Sequence, residues 1–127
     1  MAEAVLDASA LVAFLRNELG AEKVAAVLPL SCISAVNLAE TISKMVEYGK
    51  PLEEVGYQIE RLRIPAIPFD AVQAKLVASL WTIKRVAGLS LGDRACHALG
   101  LQQGLPVLTA DRKWAEADVG VKVDMIR

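Results

Sequence analysis

The sequence predicts an α/β domain in which a mostly parallel central sheet lies between helices, giving three α/β/α layers. Three observations lead there. Short continuous apolar runs, such as Ala4-Val5-Leu6 and Pro106-Val107-Leu108-Thr109, have the length and character of buried strands. Helix-patterned segments separate them, in the order β-α-β-α-α-β-α-α-β-β. The chain is also apolar for its size, 54% with a mean hydropathy of +0.39, which suits a sheet covered on both faces. Its 127 residues are expected to form one domain, 1–127, long enough to bury about two-thirds of the surface of the unfolded chain.

The elements follow in order. Ala4–Leu6 is a first strand that stops at a carboxylate, Asp7. Ala10–Leu19 carries Leu11, Val12, Leu15 and Leu19 near helical spacing, and Gly20 separates it from an Ala/Val-rich helix over Ala21–Leu28. Leu30–Ile33 is a second strand. Ser34 is placed as the N-cap of a helix whose stripe is Val36, Leu38, Ile42, Met45 and Val46. Gly49-Lys50-Pro51 ends it, and Leu52, Val55, Ile59 and Leu62 mark the next helix. Prolines at 65 and 68 assign the strand Ile64–Phe69 to a sheet edge, where a missing N–H is tolerated. Asp70 is expected to cap one long helix through Val72, Leu76, Leu80, Ile83 and Val86, closed at Gly88. Ser90–Gln103 is a helix stopped by Gly104, followed by strands at Pro106–Thr109 and Val121–Met125.

Composition narrows the class. Net charge is −1 and the isoelectric point about 5.8, so the chain as a whole is not a basic nucleic-acid-binding domain. Between Lys75 and Lys113, however, six basic residues face two acids. No run approaches the roughly 18 apolar residues of a membrane span, and no secretory leader is recognisable, so a cytoplasmic protein without membrane contact is expected. Cys32 and Cys96 fit buried free thiols, and they and His97 do not make a zinc site. Trp81 and Trp114 are expected to pack, and His97 to take a local packing or hydrogen-bonding role.

Four acids stand where a sheet edge could use them. Asp7 and Asp111 each follow a strand; parallel strands would bring both to one edge, where ligands of open α/β sheets bind. Glu40 lies about two turns into the Ser34 helix, on a stripe with Asn37, Lys44 and Glu47, and Asp93 lies in the first turn of the Ser90 helix. Each also has a local reading. Asp7 caps the following helix, Glu40 pairs with Lys44, Ser90 to Asp93 is a capping box, and Asp111 opens a turn. The local readings leave the shared edge unexplained; converging side chains would offer hard oxygen ligands for Mg²⁺ or Mn²⁺.

These segments carry a family resemblance. Val5-Leu6-Asp7-Ala8-Ser9-Ala10-Leu11, Ser34-Ala35-Val36-Asn37-Leu38-Ala39-Glu40, Leu89-Ser90-Leu91-Gly92-Asp93-Arg94-Ala95 and Pro106-Val107-Leu108-Thr109-Ala110-Asp111-Arg112-Lys113-Trp114 resemble, in order and spacing, the four motifs of PIN-domain ribonucleases. The small size resembles the VapC-like toxins of VapBC toxin–antitoxin pairs. The resemblance implies a metal-dependent endoribonuclease in which Asp7, Glu40, Asp93 and Asp111 form a metal-binding acidic cluster, with Ser9, Asn37 and Thr109 as polar support. Glu116 and Asp118, near a further acid of some members, do not align with it and stay outside the set.

On this reading Asp7 and Asp93 are direct ligands of Mg²⁺ or Mn²⁺, while Glu40 and Asp111 ligate directly, through water, or orient the attacking water. Arg94, Arg112, Lys113, Lys84 and Arg85 are expected to hold flanking RNA phosphates without reading sequence. A toxin of this type implies a homodimer and a VapB-like antitoxin. The alternatives are a stand-alone RNA-processing PIN nuclease, or a non-catalytic PIN-like scaffold binding RNA or protein. A receiver domain and a haloacid-dehalogenase-type phosphatase are set aside, the latter because Ser9 stands where a second Asp is needed.

Overall fold

A computed structural model describes residues 2–83, 88–116 and 119–127, with the backbone alone at 115 and 116. Its centre is β1 (Ala4–Leu6), paired in parallel with β2 (Ser31–Ser34) on one side and β4 (Val107–Thr109) on the other. β3 (Ala66–Ile67) extends the sheet beyond β2, and β5 (Val123–Met125) extends it beyond β4, giving the order β3-β2-β1-β4-β5, parallel at every described pairing. The chain leaves β1 toward β2 and returns on its other side as β4. β1 is therefore the switch point, and the crevice at its carboxyl end is where such sheets bind ligands.

Strand alternation supplies two cores. Val5, Cys32 and Val107 face one layer with Val77, Cys96, Leu99 and Trp114, which come from or follow α5 (Ala71–Ser79) and α6 (Leu91–Gln103). Leu6, Ile33 and Leu108 face the opposite layer with Leu11 and Val24 of α1 (Ala8–Leu15) and α2 (Ala21–Val27). A third cluster of Val12, Met45, Val55 and Ile59 joins α1 to α3 (Ala35–Glu47) and α4 (Leu52–Leu62). The three-layer expectation holds, and both cysteines are buried free thiols.

Local chemistry accounts for most boundaries. Ser34 caps α3 by accepting from the Val36 N–H at 3.2 Å, and Asp70 caps α5 by accepting from Gln73 at 3.0 Å. Gly104 closes α6 in the left-handed region at φ 66°. Several expectations need correction, and β3 and β5 are shorter than the runs Ile64–Phe69 and Val121–Met125. α1 stops at Leu15 rather than Leu19, because the following loop places Asn17 at φ 52°. Leu28–Leu30 is a short 3-10 turn around Pro29, so β2 starts one residue later than expected. The helix after Asp70 ends at Ser79, and Leu80–Thr82 is a 3-10 turn. There the Ser79 and Thr82 hydroxyls donate to the Leu76 and Ser79 carbonyls, local bonds that compete with helix continuation. Val86 lies outside the described residues.

Gly100 lets α6 lie close on the sheet. A Cβ there would stand 2.8 Å from methyls of both Val107 and Val121. Alanine gains up to about 1 kcal/mol in helix propensity but overpacks by about 1–3 kcal/mol. Gly100→Ala is therefore expected to destabilise the protein, measured as a lower urea midpoint at unchanged m-value.

Candidate active site

The C-terminal end of β1 delivers Asp7 into the crevice. Its backbone is extended, its carbonyl accepts from Ala10 and Leu11 to start α1, and its side chain makes no cap. The carboxylate is held instead by two hydroxyls: Oδ2 accepts from Ser9 Oγ at 2.6 Å and from Thr109 Oγ1 at 2.9 Å. Each hydroxyl is oriented in turn by a backbone donor, Ala110 N–H on Ser9 Oγ at 2.9 Å and Asp111 N–H on Thr109 Oγ1 at 3.0 Å. With both protons committed to Asp7, the 3.1 Å approach of the two hydroxyl oxygens carries no proton of its own. Oδ1 of Asp7 accepts no hydrogen bond among the described residues. Burial pushes the Asp7 carboxyl up to about 6. The two hydroxyls oppose that shift, and the nearby charges of Asp93 and Glu40 add to it.

α3 and α6 bring the next two acids. Asn37, fully buried, donates from Nδ2 to the Gly92 carbonyl and to Glu40 Oε1, each at 2.9 Å. One amide thus locks the helix crossing and orients Glu40. A Cβ at 92 would overlap the Glu40 carboxylate, so a larger residue there displaces that side-chain end rather than the helices. Asp93 completes the capping box of α6, accepting the Ser90 N–H on Oδ2 at 3.0 Å while Ser90 Oγ accepts from its own N–H at 3.1 Å. Asp93 therefore fulfils the capping reading and also lines the cleft. Asp111 likewise opens the 3-10 turn Arg112–Glu116, with Oδ1 accepting from Lys113 N–H at 3.2 Å. Glu40 does not pair with Lys44, which reaches Glu47 at 3.6 Å instead.

Asp7, Ser9, Glu40, Asp93 and Asp111 all line one open cleft of about 330 Å³, which Glu18, Lys44, Tyr48 and Arg127 also line. Thr109 and Asn37 are buried beneath the acids. The basic residues divide. Lys113 Nζ stands 3.2 Å from Asp93 and 3.4 Å from Asp111, and Arg112 is exposed. Arg94 is buried away from the cleft lining, donating to the Val77 carbonyl at 3.3 Å with its guanidinium 4.4 Å above the Trp81 ring. Lys84, Arg85 and Asp118 lie outside the described residues, as does the side chain of Glu116. Trp114 packs fully buried, but Trp81 is 59% exposed and serves as a platform for Arg94. His97 is fully buried against Trp114, ring centroids 4.2 Å apart, and burial lowers its pKa to about 4 against the pull of Asp93.

Sequence reasoning missed several features of the cleft. Tyr48 was recoverable, since it follows Glu40 by eight residues and Lys44, already placed on the Glu40 stripe, by four. Glu18 and Arg127, joined at 3.4 Å, carry no local signal.

The donor set suits Mg²⁺ or Mn²⁺: every candidate ligand is a carboxylate oxygen, and buried Asp7 has an oxygen without a protein donor. Among the described residues no three His, Cys, Asp or Glu side chains form a ready-made ion cage.

The PIN domain family model matches residues 4–120. No curated protein matches the chain. Among solved structures, a toxin–antitoxin complex from Klebsiella pneumoniae is similar with a TM-score of 0.76 at 17% identity, covering 98% of each chain. DNA-bound VapBC from Salmonella typhimurium has a TM-score of 0.72 at 17% identity over 100% of both chains. FitAcB from Neisseria gonorrhoeae has 0.69 at 23% identity, covering 94% of this chain and 95% of that one. At these identities the likeness is one of fold.

Two outcomes test the site. Asp7 binds its proton more tightly folded than unfolded, so its charge subtracts stability fully above pH 6 and not at all below about 4. Asp7→Asn should therefore stabilise the metal-free protein at pH 7.5 by about 2–3 kcal/mol. His97 acts oppositely, its neutral form adding stability above pH 6.5 that is lost as pH falls toward 4. The variant should accordingly lose stability on acidification more steeply than the parent, measured by urea denaturation from pH 4 to 8. Gly92→Ala should keep the fold but weaken Mn²⁺ binding about tenfold, and adding the shorter Glu40→Asp should recover part of it, read by calorimetry.

Proposed function

The chain belongs to the PIN domain family, and from that premise we propose that it is a metal-dependent endoribonuclease, the VapC-like toxin of a toxin–antitoxin pair. The observation that carries this reading is the convergence of Asp7, Glu40, Asp93 and Asp111, from four separate segments, on one cleft at the switch point of the sheet. The reaction is hydrolysis of an RNA phosphodiester: water attacks phosphorus in line and the bond to the leaving oxygen breaks.

Asp7 and Asp93 would hold Mg²⁺ or Mn²⁺, with Glu40 and Asp111 completing the set directly or through water. When bound, the ion supplies positive charge to the phosphodiester and acidity to the attacking water. The chain's own residues do the rest. Ser9 and Thr109 fix the Asp7 carboxylate in one rotamer, so it meets its ligand already oriented. Asn37 does the same for Glu40. Glu40 or Asp111, the less buried acids, take the proton from water. Arg112, exposed beside Asp111, contacts a flanking phosphate.

The partners follow from the same reading. The similar folds include a toxin–antitoxin complex and a DNA-bound VapBC, which supports a VapB-like antitoxin here. Exposed Leu52, Tyr57 and Val72 offer apolar surface for that partner or for a homodimer. No helix among the described residues is long and apolar enough to cross a membrane.

The test is cleavage of structured and single-stranded RNAs by partner-free protein with Mg²⁺, with Mn²⁺ and with EDTA. Cutting should need the metal and fall at least about 100-fold in Asp7→Asn, a variant expected to be more stable than its parent. Cutting that survives EDTA or the substitution overturns the metal mechanism. Folded protein that binds Mn²⁺ nowhere favours the scaffold.

A further inference from the structure

We propose that Lys113 is a built-in counter-ion: its ammonium holds Asp93 and Asp111 together in the metal-free protein and must leave for a divalent cation to enter. The inference rests on the metal-site reading above and deepens it. Lys113 Nζ lies 3.2 Å from Asp93 Oδ2 and 3.4 Å from Asp111 Oδ2, bridging acids from α6 and from the turn after β4. The other cations of the cleft are engaged elsewhere, Lys44 with Glu47 at 3.6 Å and Arg127 with Glu18 at 3.4 Å. Lys113 is therefore the cation found on the acidic cluster among the described residues.

The two ends of Lys113 are held differently. Its backbone is pinned, because its N–H donates to Asp111 Oδ1 at 3.2 Å and the next residue, Trp114, is buried against His97 of α6. Its side chain is 49% exposed, and exposed ion pairs are individually weak. The four-carbon stem lets the ammonium swing out while the turn stays in place. An ammonium on Asp93 and Asp111 would repel a divalent ion held by the same acidic cluster, so binding of one disfavours the other. The released ammonium stays at the cleft on its stem, within reach of a substrate phosphate. A phosphate there gives it a new partner, so metal and RNA binding reinforce each other. The sequence reading of Lys113 as a plain phosphate contact thus describes one of two states.

The experiment is calorimetric titration of Mn²⁺ into the full chain without RNA, comparing the parent, Lys113→Met and Asp7→Asn. Methionine keeps the stem and removes the charge. If the ammonium competes, Lys113→Met binds Mn²⁺ about three- to tenfold more tightly than the parent. Affinity equal to or weaker than the parent, with binding still abolished by Asp7→Asn, overturns the exchange and leaves the metal site standing. Absence of Mn²⁺ binding to both parent and Lys113→Met overturns the exchange and the metal site together.

Discussion

The cleft is arranged around one carboxylate held where the fold disfavours its charge. Asp7 ends the central strand, sits almost wholly out of water, and has only two hydroxyl donors. Both hydroxyls are already ordered by backbone N–H groups of the turn after β4. The pairing of β1 with β4 therefore does more than build the sheet. It brings Thr109 beside an aspartate 102 residues away and starts the chain of bonds that orients Asp111. A buried acid with too few donors is costly to ionise, and on the proposed reading a bound cation would offset that cost.

The second constraint is the crossing of α3 and α6. Asn37 serves both helices with one amide, and Gly92 leaves the space that the Glu40 carboxylate fills. Asp93 stands one residue on, anchored in its capping box. Rigid helices thus position two of the four acids, and a strand end and a tight turn position the others. Such mounting suits chemistry in which small displacements of a ligand matter. Behind the cluster, the His97–Trp114 stack ties α6 to the turn that carries Asp111 and Lys113. Neutral His97 adds no charge to an acidic site, and its burial depends on remaining neutral.

Legibility in the sequence followed the range of the interaction concerned. Strands β1 and β4, the caps at Ser34, Asp70 and Ser90, the edge position of β3 and the stop at Gly104 are short-range features, carried by periodicity and by single side chains on neighbouring N–H groups. The misplaced helix ends share a cause. The Ser79 and Thr82 hydroxyls and the left-handed Asn17 redirect the backbone locally, while the apolar pattern continues past them. Arg94 looked like a phosphate contact because it adjoins Asp93, yet residues adjacent on a helix face different directions. Asp93 lines the cleft and Arg94 is buried under Trp81.

By itself, the sequence determined the order of strands and helices, that the sheet is mostly parallel, and which four acids could meet at its edge. Each of these follows from pattern over a few residues and from the handedness and order of βα units. Only the tertiary structure decided how those acids are held: the raised Asp7 carboxyl, the Glu40 carboxylate over Gly92, and the Lys113 ammonium between Asp93 and Asp111. The bonds that set these properties join residues as far apart as Asn37 and Gly92, or Asp7 and Thr109. Burial and spacing across such separations exist only once the layers have closed, so no local pattern records them.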